Sequence, residues 1–82
     1  MIKLPPPPIS HPNLVPSAYN TGDGWLLCWA LKNSHGHVEP LNEVDGFEGF
    51  TDDEIIIYNY WPFDSKTASA KDWKRVGFHV VK

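Results

Sequence analysis

The sequence contains a single cysteine, Cys28, and no long apolar run. One cysteine cannot form an internal disulfide, which excludes the small secreted domains that disulfides stabilise. The longest apolar stretch, residues 25–31, is far shorter than the roughly 20 residues that a membrane-spanning helix requires. Residues 1–4 lead directly into prolines without the apolar core of a signal peptide. We therefore expect a cytoplasmic protein with no membrane association.

Basic residues are also scarce relative to acidic residues, so the net charge is −3. This charge argues against nucleic acid as the main partner, because binding to phosphates requires a basic footprint. The glycines at Gly22, Gly24, Gly46 and Gly49 match neither the phosphate-binding loop of nucleotidases nor the dinucleotide fingerprint. The sequence therefore predicts no nucleotide site and no cofactor.

Aromatic residues make up 13% of the 82 residues, which is enough to build a core in a short chain. Six of the eight prolines fall within residues 3–16. Proline fixes φ and has no N–H donor, so this stretch should form neither a helix nor a central strand. We expect a Pro-rich extended arm over residues 1–16, in a polyproline II conformation, followed by one α+β domain over residues 17–82.

Two segments of this domain predict strands that pair as a hairpin. Residues 25–31 are apolar at every position, and the turn-forming residues 33–36 follow. The return strand is expected over residues 37–41, where Pro40 would confine it to a sheet edge. Residues 42–53 predict a loop, and the β-branched and aromatic residues 54–61 predict another strand.

A short helix is expected near residues 68–76. Ser69 and Asp72 have the spacing of a capping box, and Gly77 is placed to end the helix in a left-handed conformation. Residues 78–81 then predict a final strand. The fold class is therefore α+β, with a three- to four-stranded, mostly antiparallel sheet. The residues expected in its core are Trp25, Leu27, Trp29, Ile55, Ile57, Trp73 and Phe78.

Two groups of residues suggest alternative functions, which we rank below protein binding. Cys28, His35 and His37 are residue types that ligate zinc or form a thiol–histidine pair, so they define a small metal- or thiol-dependent enzyme as one alternative. The Cys-x₂-Cys spacing of structural zinc sites is absent. A weak nucleic-acid surface on the C-terminal helix is another alternative. It would use Lys71, Lys74, Arg75, Lys82 and the ring of Trp73.

The acidic residues have the most uneven distribution in the chain. Between Glu39 and Glu54 there are seven acids and no Lys or Arg. Such a segment attracts a basic protein surface, and aromatic residues between the acids can anchor it. The predicted partner-binding residues are Glu43, Asp45, Phe47, Glu48, Phe50, Asp52 and Asp53.

The function expected from these features is a small, non-catalytic protein-interaction or inhibitor module. It would mask a partner with a basic surface, and it would use neither a metal nor a cofactor. Phages and mobile elements often encode accessory proteins of this size, so a phage or mobile-element accessory protein is a second expectation. The identity of the partner and the oligomeric state stay open at this point.

Overall fold

A computed structural model describes residues 4–81, so residues 1–3 of the predicted arm and Lys82 of the predicted basic surface lie outside the described residues. Four strands form one sheet in the order β3-β2-β1-β4. β1 pairs antiparallel with β2, β2 pairs antiparallel with β3, and β1 pairs parallel with β4. The elements are β1 (Leu14–Asn20), β2 (Trp25–Lys32), β3 (Val38–Pro40), a 3-10 helix (Leu41–Glu43), α1 (Asp52–Ile55), α2 (Ala70–Arg75) and β4 (His79–Val81). The α+β class and the mostly antiparallel sheet are confirmed.

The predicted hairpin is present as β2 and β3. Its turn is held by Asn33, whose Oδ1 accepts the backbone N–H groups of His35 at 2.9 Å and His37 at 3.1 Å. Gly36 has a φ of 83°, which an L-residue rarely adopts. β3 is an edge strand, as Pro40 predicted.

β1 is a central strand, and the prediction that residues 3–16 contribute no central strand is wrong. Lys32 N–H donates to the Asn13 carbonyl at 2.9 Å. In an antiparallel pair, hydrogen-bonded and non-hydrogen-bonded residue pairs alternate, so this bond shows which residues of β1 exchange hydrogen bonds with β2. Pro16 faces Trp29 at a position that exchanges no hydrogen bond with β2. β4 pairs only with residues 17–19. The missing N–H of Pro16 therefore interrupts neither ladder.

The strand predicted over residues 54–61 is absent from the structure. Thr51 caps α1, and the Glu54 carboxylate accepts the Thr51 N–H at 3.2 Å. The cap holds the chain in a helical turn through Ile55, so the first residues of the segment are not extended. Ile56 forms an isolated bridge with Cys28, and Ile57 N–H donates to the Leu27 carbonyl at 2.7 Å. The loop predicted over residues 42–53 also contains parts of the 3-10 helix and of α1.

α2 confirms the predicted helix, although it is shorter than expected. Ser69 N–H donates to Asp72 Oδ2 at 2.9 Å, so the predicted capping box is present. At the other end Gly77 has a φ of 101°, and Phe78 N–H donates to the Trp73 carbonyl at 3.0 Å. This is the Schellman arrangement, which satisfies the last carbonyls of a helix.

Both hydrophobic clusters lie on one face of the sheet. The larger contains Ala18, Leu27, Trp29, Ile57, Trp73 and Phe78. The smaller contains Leu31, Leu41 and Ile55. Six of the seven predicted core residues are buried, whereas Trp25 is half-buried and donates its indole N–H to the Ala68 carbonyl at 2.9 Å. Leu4 packs against the larger cluster and Ile9 against the smaller, so the Pro-rich segment contacts the domain.

The opposite face of the sheet is concave and is lined by small residues. Ser17, Cys28 and Ala30 alternate with the core residues of their strands and are each at most 1% exposed. One pocket on this face is lined by residues 36–38 beside β3 and 79–81 of β4, which are the two edges of the sheet. Edges of a flat four-stranded sheet would lie about 14 Å apart, so this sheet curves. Within residues 4–81 no helix has the length and apolar character needed to cross a membrane.

Candidate functional site

The acidic segment, residues 39–54, presents all seven of its carboxylates to solvent. Glu39 lies on β3, Glu43 on the 3-10 helix, and the last three acids on α1. None of the seven forms an ion pair with any described residue. The ion pair found within residues 4–81 joins Arg75 to Asp72 at 2.8 Å, on α2. The negative charge of the acidic segment is therefore not neutralised by the basic C-terminal residues that the structure describes.

The centre of the acidic segment is a closed loop. Asn42 Nδ2 donates to Asp52 Oδ1 at 2.8 Å, which joins two residues ten positions apart. Compact loops with joined ends and their own packed side chains form Ω-loops, which frequently carry function. The acids Asp45 and Glu48 lie within this loop.

Phe47 and Phe50 hold the loop against the body of the protein. Both are half-buried and pack against the smaller hydrophobic cluster. Their rings stack with centroids 6.4 Å apart, and the ring of His11 meets Phe47 edge-on at 6.1 Å. These contacts show that Phe47 and Phe50 anchor the loop to the hydrophobic core.

Local hydrogen bonds fix some of the carboxylates and leave others open. Glu48 Oε2 accepts the Gly46 N–H at 3.0 Å, and Glu54 Oε1 accepts the hydroxyl of Thr51 at 3.1 Å. In the described part of the chain, the side chains of Asp45 and Asp53 accept no hydrogen bond. Five of the seven predicted partner-binding residues are exposed, and the other two, Phe47 and Phe50, are half-buried.

A pocket of about 360 Å³ opens beside the loop, on the concave face of the sheet. β3 ends at Pro40, opposite Ala30, and around Cys28 the edge of β2 is bridged instead by Ile56, so the pocket lies where one partner of β2 gives way to the other. The ends of the loop and the residues after α1 complete its walls. The lining residues are Leu26, Cys28, Pro40, Asn42, Glu43, Asp52, Ile55 and Ile56.

Cys28 lies in this pocket as a protonated thiol. Burial, and to a lesser extent the negative charges of Glu43 and Asp52, raises the pKa of Cys28 to about 12. The nucleophile in thiol chemistry is the thiolate, so an elevated pKa makes Cys28 a poor attacking group. The pKa of Tyr19 on the same face is also raised, first by burial and then by neighbouring negative charge.

The structure does not bring Cys28, His35 and His37 together. His37 lies opposite Asn33, five residues along β2 from Cys28, which corresponds to roughly 17 Å of strand. Both histidines are exposed at the hairpin turn, whereas Cys28 is buried. No three His, Cys, Asp or Glu side chains among the described residues are grouped as metal ligands.

The basic surface on α2 lacks the aromatic ring that nucleic-acid stacking would use. Lys71, Lys74 and Arg75 are exposed, but Trp73 is completely buried. Trp73 contacts four other aromatic rings and forms the centre of the larger cluster. Those rings belong to Trp25, Trp61, Phe63 and Phe78.

Sequence reasoning found the acidic segment but missed the pocket and the residue that closes the loop. Asn42 has no distinctive signal in the sequence, because its partner is ten residues away. The pocket depends on where β3 ends, although the capping-box spacing of Thr51 and Glu54 could have located α1 at its wall. Comparison with known proteins adds no assignment, since no family model, no curated protein and no solved structure matches the chain at a significant level.

Proposed function

We propose that the protein is a non-catalytic binding module that captures a basic surface of another protein through its acidic segment. The observation that carries this proposal is the set of seven exposed carboxylates without an ion-pair partner among residues 4–81. A cluster of charges of the same sign attracts an oppositely charged surface and increases the rate at which the two proteins associate. The attraction weakens as salt shortens the screening length to about 8–10 Å.

The closed loop supports this role because it arranges the charges before the partner arrives. The Asn42–Asp52 hydrogen bond and the packing of Phe47 and Phe50 fix the loop, so little conformational freedom is lost on binding. Because both rings are only half-buried, they would add apolar contact area to the interface. The module would act by covering the basic surface of its partner, as a masking protein or inhibitor does.

The setting that fits this role is the cytoplasm, where a lone thiol such as Cys28 stays reduced. A short masking domain also fits an accessory protein of a phage or mobile element. Identification of the partner would test the cytoplasmic location and the phage or mobile-element origin together with the binding mode.

The decisive experiment is affinity capture of proteins from the native host, followed by measurement of the association rate of the captured partner. Three forms of the protein are compared at low and high salt. They are the wild type, a loop variant with Asp45→Lys and Glu48→Lys, and a control variant with Asp23→Lys and Asp64→Lys. The two variants change the net charge equally, and all four positions are exposed.

We expect the loop variant to lose at least about tenfold in association rate at low salt, with a smaller difference at high salt. The control variant should bind nearly as the wild type does. Equal association rates for the wild type and the loop variant would show that the acidic segment is only a solvated surface. The interface would then lie elsewhere, for example on the Pro-rich segment or α2.

A further inference from the structure

The pocket beside the closed loop combines apolar walls with charged groups of one sign, which are negative. Leu26, Pro40, Ile55 and Ile56 supply the apolar surface, and the carboxylates of Glu43 and Asp52 supply charge. Asn42 donates a hydrogen bond to Oδ1 of Asp52, which leaves Oδ2 of that carboxylate available to a ligand. No Lys or Arg of residues 4–81 lines the pocket.

Two further groups on this face lack a hydrogen-bond partner. Cys28 is 1% exposed, lines the pocket, and forms no side-chain hydrogen bond with any residue of the described range. Among residues 4–81 the buried hydroxyl of Tyr19 has no hydrogen-bond partner, and Tyr19 lies opposite the pocket residue Leu26 in the β1–β2 register, although it does not line the pocket itself. The Cys28 thiol, which lines the pocket, is therefore available to accept a hydrogen bond from a ligand seated there.

The groups around the pocket are predominantly hydrogen-bond acceptors. Two carboxylates come from separate elements, and the thiol sulfur of Cys28 can accept weakly as well. A guanidinium carries five N–H donors and no acceptor, and its planar fork matches carboxylate geometry. An arginine side chain also has an aliphatic stem that packs against apolar walls while its charged end reaches polar groups.

We propose that this pocket is a socket for one arginine side chain of the partner, with Glu43 and Asp52 pairing with its guanidinium. The inference rests on the proposed function and narrows it, because it assigns one residue of the partner to one place on the surface. The remaining carboxylates of the acidic segment then attract the partner over longer distances, and the socket fixes its position.

The socket is tested by an NMR titration of ¹⁵N-labelled full-length protein with N-acetyl-arginine methylamide. The matched probe is N-acetyl-citrulline methylamide, which has nearly the same shape but no charge. We expect the arginine probe to shift the amides of Asn42, Glu43 and the residues around Ile56, and the citrulline probe to leave them nearly unchanged. Equal shifts with both probes would overturn the proposal.

The variants compared are a socket variant, Glu43→Gln with Asp52→Asn, and a control, Glu48→Gln with Asp53→Asn. Both pairs remove two charges, and an amide oxygen at position 52 can still accept the bond from Asn42. We expect the socket variant to bind the arginine probe at least about tenfold more weakly, and the control to lose less than about threefold. Equal losses in both variants would show non-specific attraction and overturn the socket.

Two further outcomes separate the socket from the proposed function. An N-acetyl-lysine methylamide that binds as tightly as the arginine probe would overturn the assignment to arginine. A socket variant that binds the captured partner as the wild type does, while the Asp45→Lys and Glu48→Lys variant fails, would overturn the socket and leave the proposed function intact. A clearly larger loss of partner binding in the socket variant than in the Glu48→Gln and Asp53→Asn control supports both.

Discussion

Asn42 Nδ2 donates a hydrogen bond of 2.8 Å to Asp52 Oδ1 and thereby closes the loop that carries the central acids. Both residues are near the surface, so the bond contributes only about 1 kcal/mol to the free energy of unfolding. Its larger effect is on the local opening of the loop, which needs much less free energy than global unfolding.

Replacement of Asn42 by Ala should therefore open the loop without unfolding the domain. We expect faster hydrogen exchange at the amides of Phe47 and Phe50, which donate to backbone carbonyls inside the loop. The melting temperature should change little. Asp52→Asn is the control, because it keeps an oxygen acceptor and should exchange as the wild type does. Unchanged exchange in Asn42→Ala would show that the Phe rings alone hold the loop.

Ile57→Ala should cost about 2–5 kcal/mol of the free energy of unfolding. Ile57 is 2% exposed and packs in the larger cluster, so truncation removes buried methyl groups and leaves a cavity. The measurement is chemical denaturation at equilibrium. Its neighbour Tyr58 is 55% exposed, and Tyr58→Ala should change stability by less than about 0.5 kcal/mol. An unchanged denaturation midpoint for Ile57→Ala would contradict the burial of this side chain.

Gly77→Ala should destabilise the protein by about 1–2 kcal/mol, because the φ of 101° at this position is strained for any residue with a Cβ. The space around Gly77 is open, so the cost is conformational rather than a clash. Gly49→Ala is a matched control with open space and no left-handed φ. If both variants melt at the same temperature, the C-terminal end of α2 does not need its left-handed residue.

The stability of the protein should fall at high pH because of Cys28. Its pKa is about 12 in the folded protein and about 9 for an unperturbed thiol, so the unfolded chain releases this proton first. The free energy of unfolding should be insensitive to this group below pH 9 and should decrease between pH 9 and 12. At pH 10 the loss amounts to about 1 kcal/mol.

Comparison of the wild type with Cys28→Ala isolates this contribution. Urea denaturation at pH 8 and pH 10 gives the difference in stability for each protein, and the slope with pH is the relevant quantity. We expect the variant to show a smaller loss than the wild type over this interval. Identical losses would mean that the Cys28 thiol ionises as easily in the folded protein as in the unfolded chain.

The sequence predicted the elements whose signals are local and failed where a distant contact decides the conformation. The hairpin of β2 and β3 and the caps of α2 depend on neighbouring residues, and they were predicted correctly. Residues 54–61 have a high strand propensity, but the cap at Thr51 starts a helix that ends at Ile55. β1 was missed because Pro16 suggests an irregular segment, and only its pairing partner shows why the proline is tolerated.

The candidate site was predictable in composition and not in shape. Charge is read directly from the sequence, so the acidic segment and its exposed carboxylates could be identified before the structure was known. The pocket is formed by Cys28, the end of β3 and both ends of the loop, which are far apart in the chain. Only tertiary packing brings such residues together, and no local pattern encodes that arrangement.

The parallel pairing of β1 with β4 also has a kinetic consequence. Ser17 lies opposite His79, a separation of 62 residues in a chain of 82. Closing a loop of that length has a large entropic cost, and contacts between distant residues slow folding. The hairpin of β2 and β3 can form early from local contacts, whereas the β1–β4 edge should form late. Substitutions on β4 should then act mainly on the unfolding rate, and substitutions in the hairpin mainly on the folding rate.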